Sequence, residues 1–373
     1  MKNAVIILIS DQTVPNILFL KWFASGHKGE DNTIYFVSTE KMEENNKSQC
    51  IVSTLNQIAK QMKVESPVIL DDENSLPMIQ RNVQEKISSE YDRFYLNITG
   101  GNKLMSLAVY MLFNANPKSI IYYQPIGKSL QQISPEFEEY ELGKIMSVNE
   151  YMNAYGINIS PAGKCVKEED FYKNILEIVN KNKAGRSQIH DLIDDKKFFK
   201  RHLEDGKRYD LTNLPVDKLS AMDKKVVPET MQKTVADFGF DFHNVGIDEL
   251  KYISGGWFEE FVYYKVMREK NLSPKKIALN VYLTNSKKVR NELDVVYIEN
   301  NALRVIECKS FINEKGQKVL LTDTIYKIQA LKSQFGLSVK SYLYTLSPIT
   351  EPQFTERAKT FDIEIVDGHR LGL

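Results

Sequence analysis

NELDVVYIENNALRVIECKS, Asn291–Ser310, decides how this 373-residue chain is read. Two apolar arms flank Asn300–Asn301, and asparagine tolerates the positive φ that a two-residue hairpin turn demands. With the turn centred there, Glu299 faces Ala302, Tyr297 faces Arg304 and Val295 faces Ile306. The same count sets Asp294 opposite Glu307 and Glu292 opposite Lys309. Side chains alternate across a strand. One wall should therefore carry Glu292, Asp294, Glu307 and Lys309, and the other, facing a core, Leu293, Val295, Ile306 and Cys308.

Directly opposed residues have Cβ atoms about 4.5–5.5 Å apart, so two carboxylates there repel. A divalent cation offsets this, and hard oxygen ligands suit Mg²⁺ or Mn²⁺. The pattern predicts Asp294 and Glu307 as metal ligands, with Lys309 assisting the attacking water or stabilising transition-state charge. The competing reading is an exposed edge hairpin with solvated charges and an ordinary Glu292–Lys309 pair. The apolar runs "DVVYI" and "LRVIEC" suit a central strand pair better. Cys308 is turned inward by the alternation and has no histidine nearby in sequence, which argues against a nucleophile.

Around this hairpin, residues 246–373 read as a mixed α/β domain. "GGWFEEFVYYKVMREK" is a helix, "KIALNVYLTN" a strand, "DTIYKIQALKSQFG" a helix, "KSYLYTLS" a strand, "EPQFTERAKTF" a helix and "DIEIVDG" a strand. Residues 161–245 are polar, helical in pattern and read as a connecting region. Residues 1–160 alternate strand and helix: "AVIILIS", "TIYFVST", "SPVIL", "RFYLNIT" and "KSIIYYQPI" are strands separated by helical segments. That order means βαβ units and a mostly parallel, Rossmann-like sheet.

Ligands of such sheets collect at the carboxyl ends of the strands, where the strand order reverses. Two polar loops sit at strand ends. "SDQTVPN" offers Ser10, Asp11, Gln12 and Thr13; "TGGNK" offers Thr99, Gly100, Gly101, Asn102 and Lys103. The glycines allow close backbone approach, and the helix start at Asn102 favours an anion. A plain tight turn after the strand is the alternative, and neither loop is a dinucleotide fingerprint or Walker loop.

Lys+Arg and Asp+Glu each total 49, so global charge announces no nucleic-acid ligand and any basic surface is local. "SKKVRN" (Ser286–Asn291) is one such stretch. Three scattered cysteines fit a reducing cytoplasm rather than a disulfide framework. The five histidines lack zinc-ligand spacing. "AVIILIS" is too short to span a bilayer, and no membrane association is expected.

Asp294 followed by Glu307-Cys308-Lys309 resembles the PD-(D/E)xK nucleases of the restriction-endonuclease-like fold, with Leu293 where a proline often precedes the first acid. That family takes a further acid from its first helix. "GGWFEE" offers Glu259 and Glu260, of which Glu259 is preferred as a third catalytic and metal-binding carboxylate. In some branches a later helix adds a polar residue; Tyr326, Lys327 and Gln329 occupy that place. With "SDQTVPN" and "TGGNK", the chain is similar to the CARF-domain (CRISPR-associated Rossmann fold) effector nucleases of the Can and Card type. The resemblance covers most of the chain but not the middle region. It implies an α/β fold, with an N-terminal Rossmann-like CARF domain and a C-terminal restriction-endonuclease-like domain. It further implies a cytoplasmic homodimer, activated by a cyclic oligoadenylate, commonly cyclic tetra-adenylate, in type III CRISPR defence. Mn²⁺ or Mg²⁺ would serve cleavage of single-stranded RNA and DNA and nicking of duplex DNA. A sensor that binds nucleic acid without catalysis, and a ring nuclease that degrades the messenger, stay open at this point.

Overall fold

The computed structural model describes all residues except 56–61, 127–128, 160–168, 195–201, 205, 214–226, 285–289, 311–323, 331–334, 350–351 and 372–373. The first sheet contains β1 (Lys2–Leu8), β2 (Asp31–Ser38), β3 (Lys63–Val64), β4 (Val68–Ile69), β5 (Arg93–Asn97), β6 (Ser119–Tyr123), β7 (Leu130–Ser134) and β8 (Glu138–Tyr140). Its order is β3-β2-β1-β5-β6-β7-β8, with β4 on β2. The strands from β1 to β6 pair in parallel, and β7 and β8 add an antiparallel edge. Ala4–Leu8 are wholly buried, as a run covered on both faces must be. Helices α4 (Leu76–Lys86) and α5 (Lys103–Asn114) cover one face, with Ile79, Val83, Met105 and Val109 on Ile6 and Leu8. The other face is covered from α1 (Val14–Gly26), α3 (Lys47–Leu55), which follows the short α2 (Glu40–Glu44), and α6 (Val148–Ala154).

That second helical layer is shared. The second sheet, β9 (Asn158–Ile159), β12 (Ile277–Thr284), β13 (Arg290–Glu299), β14 (Ala302–Lys309), β15 (Lys340–Thr345) and β16 (Ile363–Val366), has the order β16-β15-β14-β13-β12-β9. Two short strands between, β10 (Arg208–Tyr209) and β11 (Val245–Gly246), pair separately. Ala278, Val296, Leu303 and Val305 lie in the same core as Ile17, Phe19, Ile51 and Tyr151. The two halves of the chain thus have one apolar layer in common. A buried side chain the size of Phe19 contributes about 1.5–3 kcal/mol there. The opposite face of the second sheet meets helix Trp257–Glu269 and the middle helices, with Ile189, Val235, Trp257 and Phe258 on Leu279, Val295 and Ile306.

The central hairpin has the register the sequence count gives: Glu299 with Ala302, Tyr297 with Arg304, Val295 with Ile306. Asn300 and Asn301 turn at φ 51° and 59°. Asn301 does more than turn. Its Oδ1 accepts the N–H groups of Ile145 and Met146, and its Nδ2 donates to the Gly143 carbonyl, clasping the tip to the first half.

Two expectations are corrected. Asp294 and Glu307 do not form a ladder pair, because the β13–β14 register ends at Val295–Ile306. Beyond it β13 stays on β12 and β14 stays on β15, so the two strands part. The Cys308 N–H, which a regular ladder would give to β13's backbone, donates instead to Asp294 Oδ2 at 2.7 Å. Leu293 also leaves the wall it was assigned. Val295, Ile306 and Cys308 share one core, but Leu293 joins the other. The cause lies on the neighbouring strand, where Asn280 has φ 50° and breaks the alternation.

Candidate active site and ligand loops

The parting of β13 from β14 opens a polar notch between two apolar faces. Asp294 and Glu307 are buried in it at 7% and 3% exposure. Lys309 Nζ bonds Glu307 Oε1 at 2.8 Å, and Lys327 Nζ reaches both Glu307 oxygens at 2.9 and 3.0 Å. Lys327 belongs to the helical residues 324–330, and of Tyr326 and Lys327 it is the lysine that reaches Glu307. Tyr326 points outward at 52% exposure and Ile325 is core.

Helix Trp257–Glu269 delivers the third acid. It follows a π-helical turn, Tyr252–Gly256. Gly255 lies against the end of β14, where a Cβ would stand 2.9 Å from Ser310 Oγ. Glu259 comes under the charges of Asp294, Glu292 and Lys309, and accepts a hydrogen bond from the Asn280 side chain. Glu260 is buried at 4% exposure. Thus Glu259, Asp294, Glu307 and Lys309 come together. Burial, reinforced by Asp294 and Glu292, pushes the Glu259 carboxyl up to about 8. Burial and Glu307 push Asp294 up to about 7, against the pull of Lys309. Burial opposes the charge of Lys309, but Glu307 and Asp294 outweigh it and raise its pKa. Burial, then Asp294, Glu259 and Glu307, raise the Cys308 thiol well above its usual range, so it is no ready nucleophile.

Among the described residues, no three His, Cys, Asp or Glu side chains form a ready-made metal cluster. Glu307 is instead bonded to two ammonium groups and Asp294 to a backbone N–H. The donor chemistry nonetheless fits a hard divalent cation. Burial and neighbouring carboxyls disfavour the charged forms of Glu259 and Asp294, a cost that a cation would offset, and Asn280 Oδ1 is buried without a partner. Lys287 and Lys288 of the basic stretch lie outside the described residues.

The two ligand loops follow β1 and β5, neighbouring parallel strands at the point where the order reverses. Asn16 joins them, donating to the Leu8 carbonyl and accepting from Asn97. Gly100 lies so close to β1 that a Cβ would stand 2.0 Å from the Leu8 carbonyl oxygen. Gly101 has φ 73°, and Asn102 caps α5 through Met105 N. Lys103 and Asp11 are exposed; Asp11 pairs with Lys47 at 3.4 Å. Ser10 accepts from Gln12 N, and Thr99 donates to Asn97. Thr13 is fully buried and its hydroxyl donates to the Ala154 carbonyl, so it braces the loop. Gln12 crosses to the other half, where its Oε1 accepts the Leu337 N–H at 3.0 Å.

The profile of the Card1 CARF domain matches residues 4–151, and that of the Card1-like endonuclease domain matches residues 248–372. The chain belongs to this CARF-domain endonuclease family. No curated protein matches it in sequence. Among solved structures it resembles Can2 from Sulfobacillus thermosulfidooxidans in complex with cyclic tetra-adenylate (TM-score 0.72, 21% identity, 99% of this chain and 98% of that one). It also resembles protein VC1899 from Vibrio cholerae (TM-score 0.74, 16% identity, 99% and 95%). A type III CRISPR defence DNA nuclease activated by cyclic oligoadenylate aligns at TM-score 0.54 and 14% identity, over 94% of this chain and 47% of that one. At these identities the likeness is one of fold. Among the described residues of this CARF endonuclease, no helix is long and apolar enough to cross a membrane.

Proposed function

We propose that this CARF endonuclease is a divalent-metal-dependent nuclease switched on by a cyclic oligoadenylate, cyclic tetra-adenylate in the first instance, in CRISPR defence. The observation that carries the reading is the meeting of Glu259, Asp294, Glu307 and Lys309 where β13 and β14 part. Bound Mn²⁺ or Mg²⁺ would supply Lewis-acid stabilisation of charge on the scissile phosphate. Asp294 is fixed by the Cys308 N–H, so its carboxylate is presented without a search of rotamers. Glu259, Asp294 and Glu307 would hold the cation, whose charge would favour the ionised, ligating form of Glu259 and Asp294. Lys309 stays charged beside them and faces the charge that develops on the phosphate. Single-stranded RNA and DNA are the proposed substrates, with duplex nicking as a further activity.

The ligand-sensing assignment rests on the CARF profile match and on the paired loops at the switch point. Can2, of similar fold, was solved with cyclic tetra-adenylate. Contacts between the two halves support a coupling of ligand to cleavage. Gln12 holds the Leu337 N–H, Tyr151 donates to the Phe335 carbonyl, and a side chain at Gly336 would stand 2.1 Å from the Tyr155 hydroxyl. This same segment lies a few residues beyond the helix bearing Lys327. A two-fold symmetric ring ligand suits a homodimer. Leu107 and Met111, half-exposed on the helix that begins at Asn102–Lys103, are the apolar surface assigned to a second copy.

Glu307→Ala tests the reading. It is expected to abolish cleavage of single-stranded substrates while leaving cyclic tetra-adenylate binding intact. Metal-dependent cleavage at the wild-type rate would refute the site.

A further inference from the structure

Asn280 lies in the middle of β12 and has the left-handed backbone (φ 50°) that is rare inside a strand. The register on either side is regular: Leu279 pairs with Val295 and Val281 pairs with Leu293. Asn280 therefore stands across from Asp294. Leu279 and Val295 belong to one core, whereas Val281 and Leu293, two residues further along each strand, belong to the other. Residues two apart normally share a face. Both strands therefore turn over at the Asn280–Asp294 step, and Asp294 is freed from both apolar faces at that point. The Asn280 side chain donates to Glu259, and its Oδ1 is buried without a partner. Backbone and side chain thus act on different acids of the notch: the turnover also sends Val281 and Leu293 into the other core, whereas the amide touches only the acids' side.

We propose that Asn280 is a positioning residue of the nuclease site: its backbone turns Asp294 into the notch, and its amide holds Glu259 beside it for the cation. The inference rests on the metal-dependent reading given above. A residue that orients metal ligands typically accounts for about 10–100-fold in metal affinity.

Full-length variants separate the two acts. Asn280→Gly keeps the left-handed backbone and removes the amide, whereas Asn280→Ala also removes the residue's tolerance of positive φ. Melting temperature and cyclic tetra-adenylate binding serve as controls. The readouts are direct Mn²⁺ titration and the Mn²⁺ concentration for half-maximal cleavage. Asn280→Gly is expected to melt near wild type and bind the cyclic nucleotide normally. Its Mn²⁺ affinity should fall about 10–100-fold, with much of the rate recovered at saturating metal. Asn280→Ala should lose Mn²⁺ affinity further. Wild-type Mn²⁺ affinity in the folded glycine variant overturns the proposal and leaves the nuclease reading standing. A wild-type protein that binds no Mn²⁺ overturns both.

Discussion

Replacing Lys327 by methionine probes what holds Glu307 in the absence of a cation. The carboxylate is 4% exposed and receives Lys309 at 2.8 Å and Lys327 at 2.9 Å, whose own side chain is 34% exposed. A charge pair at about 3 Å has a gross attraction near 5 kcal/mol at an effective dielectric of about 20. Solvent on the Lys327 side screens this, and Lys309 still covers one oxygen. Loss of the charged hydrogen bonds should therefore net about 1–2 kcal/mol. Methionine keeps the apolar stem, so packing changes little. For a chain of this size the metal-free melting temperature should fall by about 1–3 °C. The second half of the expectation has the opposite sign. With one ammonium removed, a cation competes with Lys309 alone for Glu307, so Mn²⁺ should raise the variant's melting temperature more than the wild type's. Thermal shift with and without Mn²⁺ measures both. A variant that melts with the wild type when metal-free, and gains no more from Mn²⁺, would refute this account of the Glu307 environment.

Two further outcomes follow from the same geometry. Folded Asp294 and Glu259 keep their protons up to about 7 and about 8, while unfolded carboxyls lose theirs near 4. Between these values the folded state binds more protons, so metal-free stability should fall as pH rises. Mn²⁺ must displace those protons, so its stabilising shift should be larger at about pH 8 than at about pH 6; an equal or reversed shift contradicts the protonation assignment. Gln12→Ala removes the acceptor of the Leu337 N–H. At saturating cyclic nucleotide, activation of cleavage should weaken, and unchanged activation would exclude this contact from the coupling route.

Much of the hairpin was legible because its register depends on two local quantities, the Asn300–Asn301 turn and the period of two. The parallel first sheet was legible for a similar reason, since a doubly covered strand such as Ala4–Leu8 must be apolar throughout. The parting of β13 and β14 was not, because it depends on which outer neighbour each strand keeps. The turnover at Asn280 was hidden too: one asparagine in "KIALNVYLTN" gives no sign of positive φ without its partner strand. Lys327 was named only as one of three polar choices, and helical spacing alone did not select it. The clasp of Asn301 on Gly143–Met146 and the reach of Gln12 to Leu337 join residues 155 or more positions apart, beyond any local pattern.

The apolar layer between the two sheets has a consequence for how such chains can change. Val296, Leu303 and Val305 touch the same core as Ile17 and Phe19, so a cut between the halves would strip solvent protection from both. Exchanging either half with that of a distant cousin would leave mismatched knobs and voids in a close-packed interior. The two halves of this molecule must therefore drift together, substitutions in the shared layer on one side constraining those on the other. A signal crossing such a layer would have to repack side chains, since the halves share a core rather than a free linker.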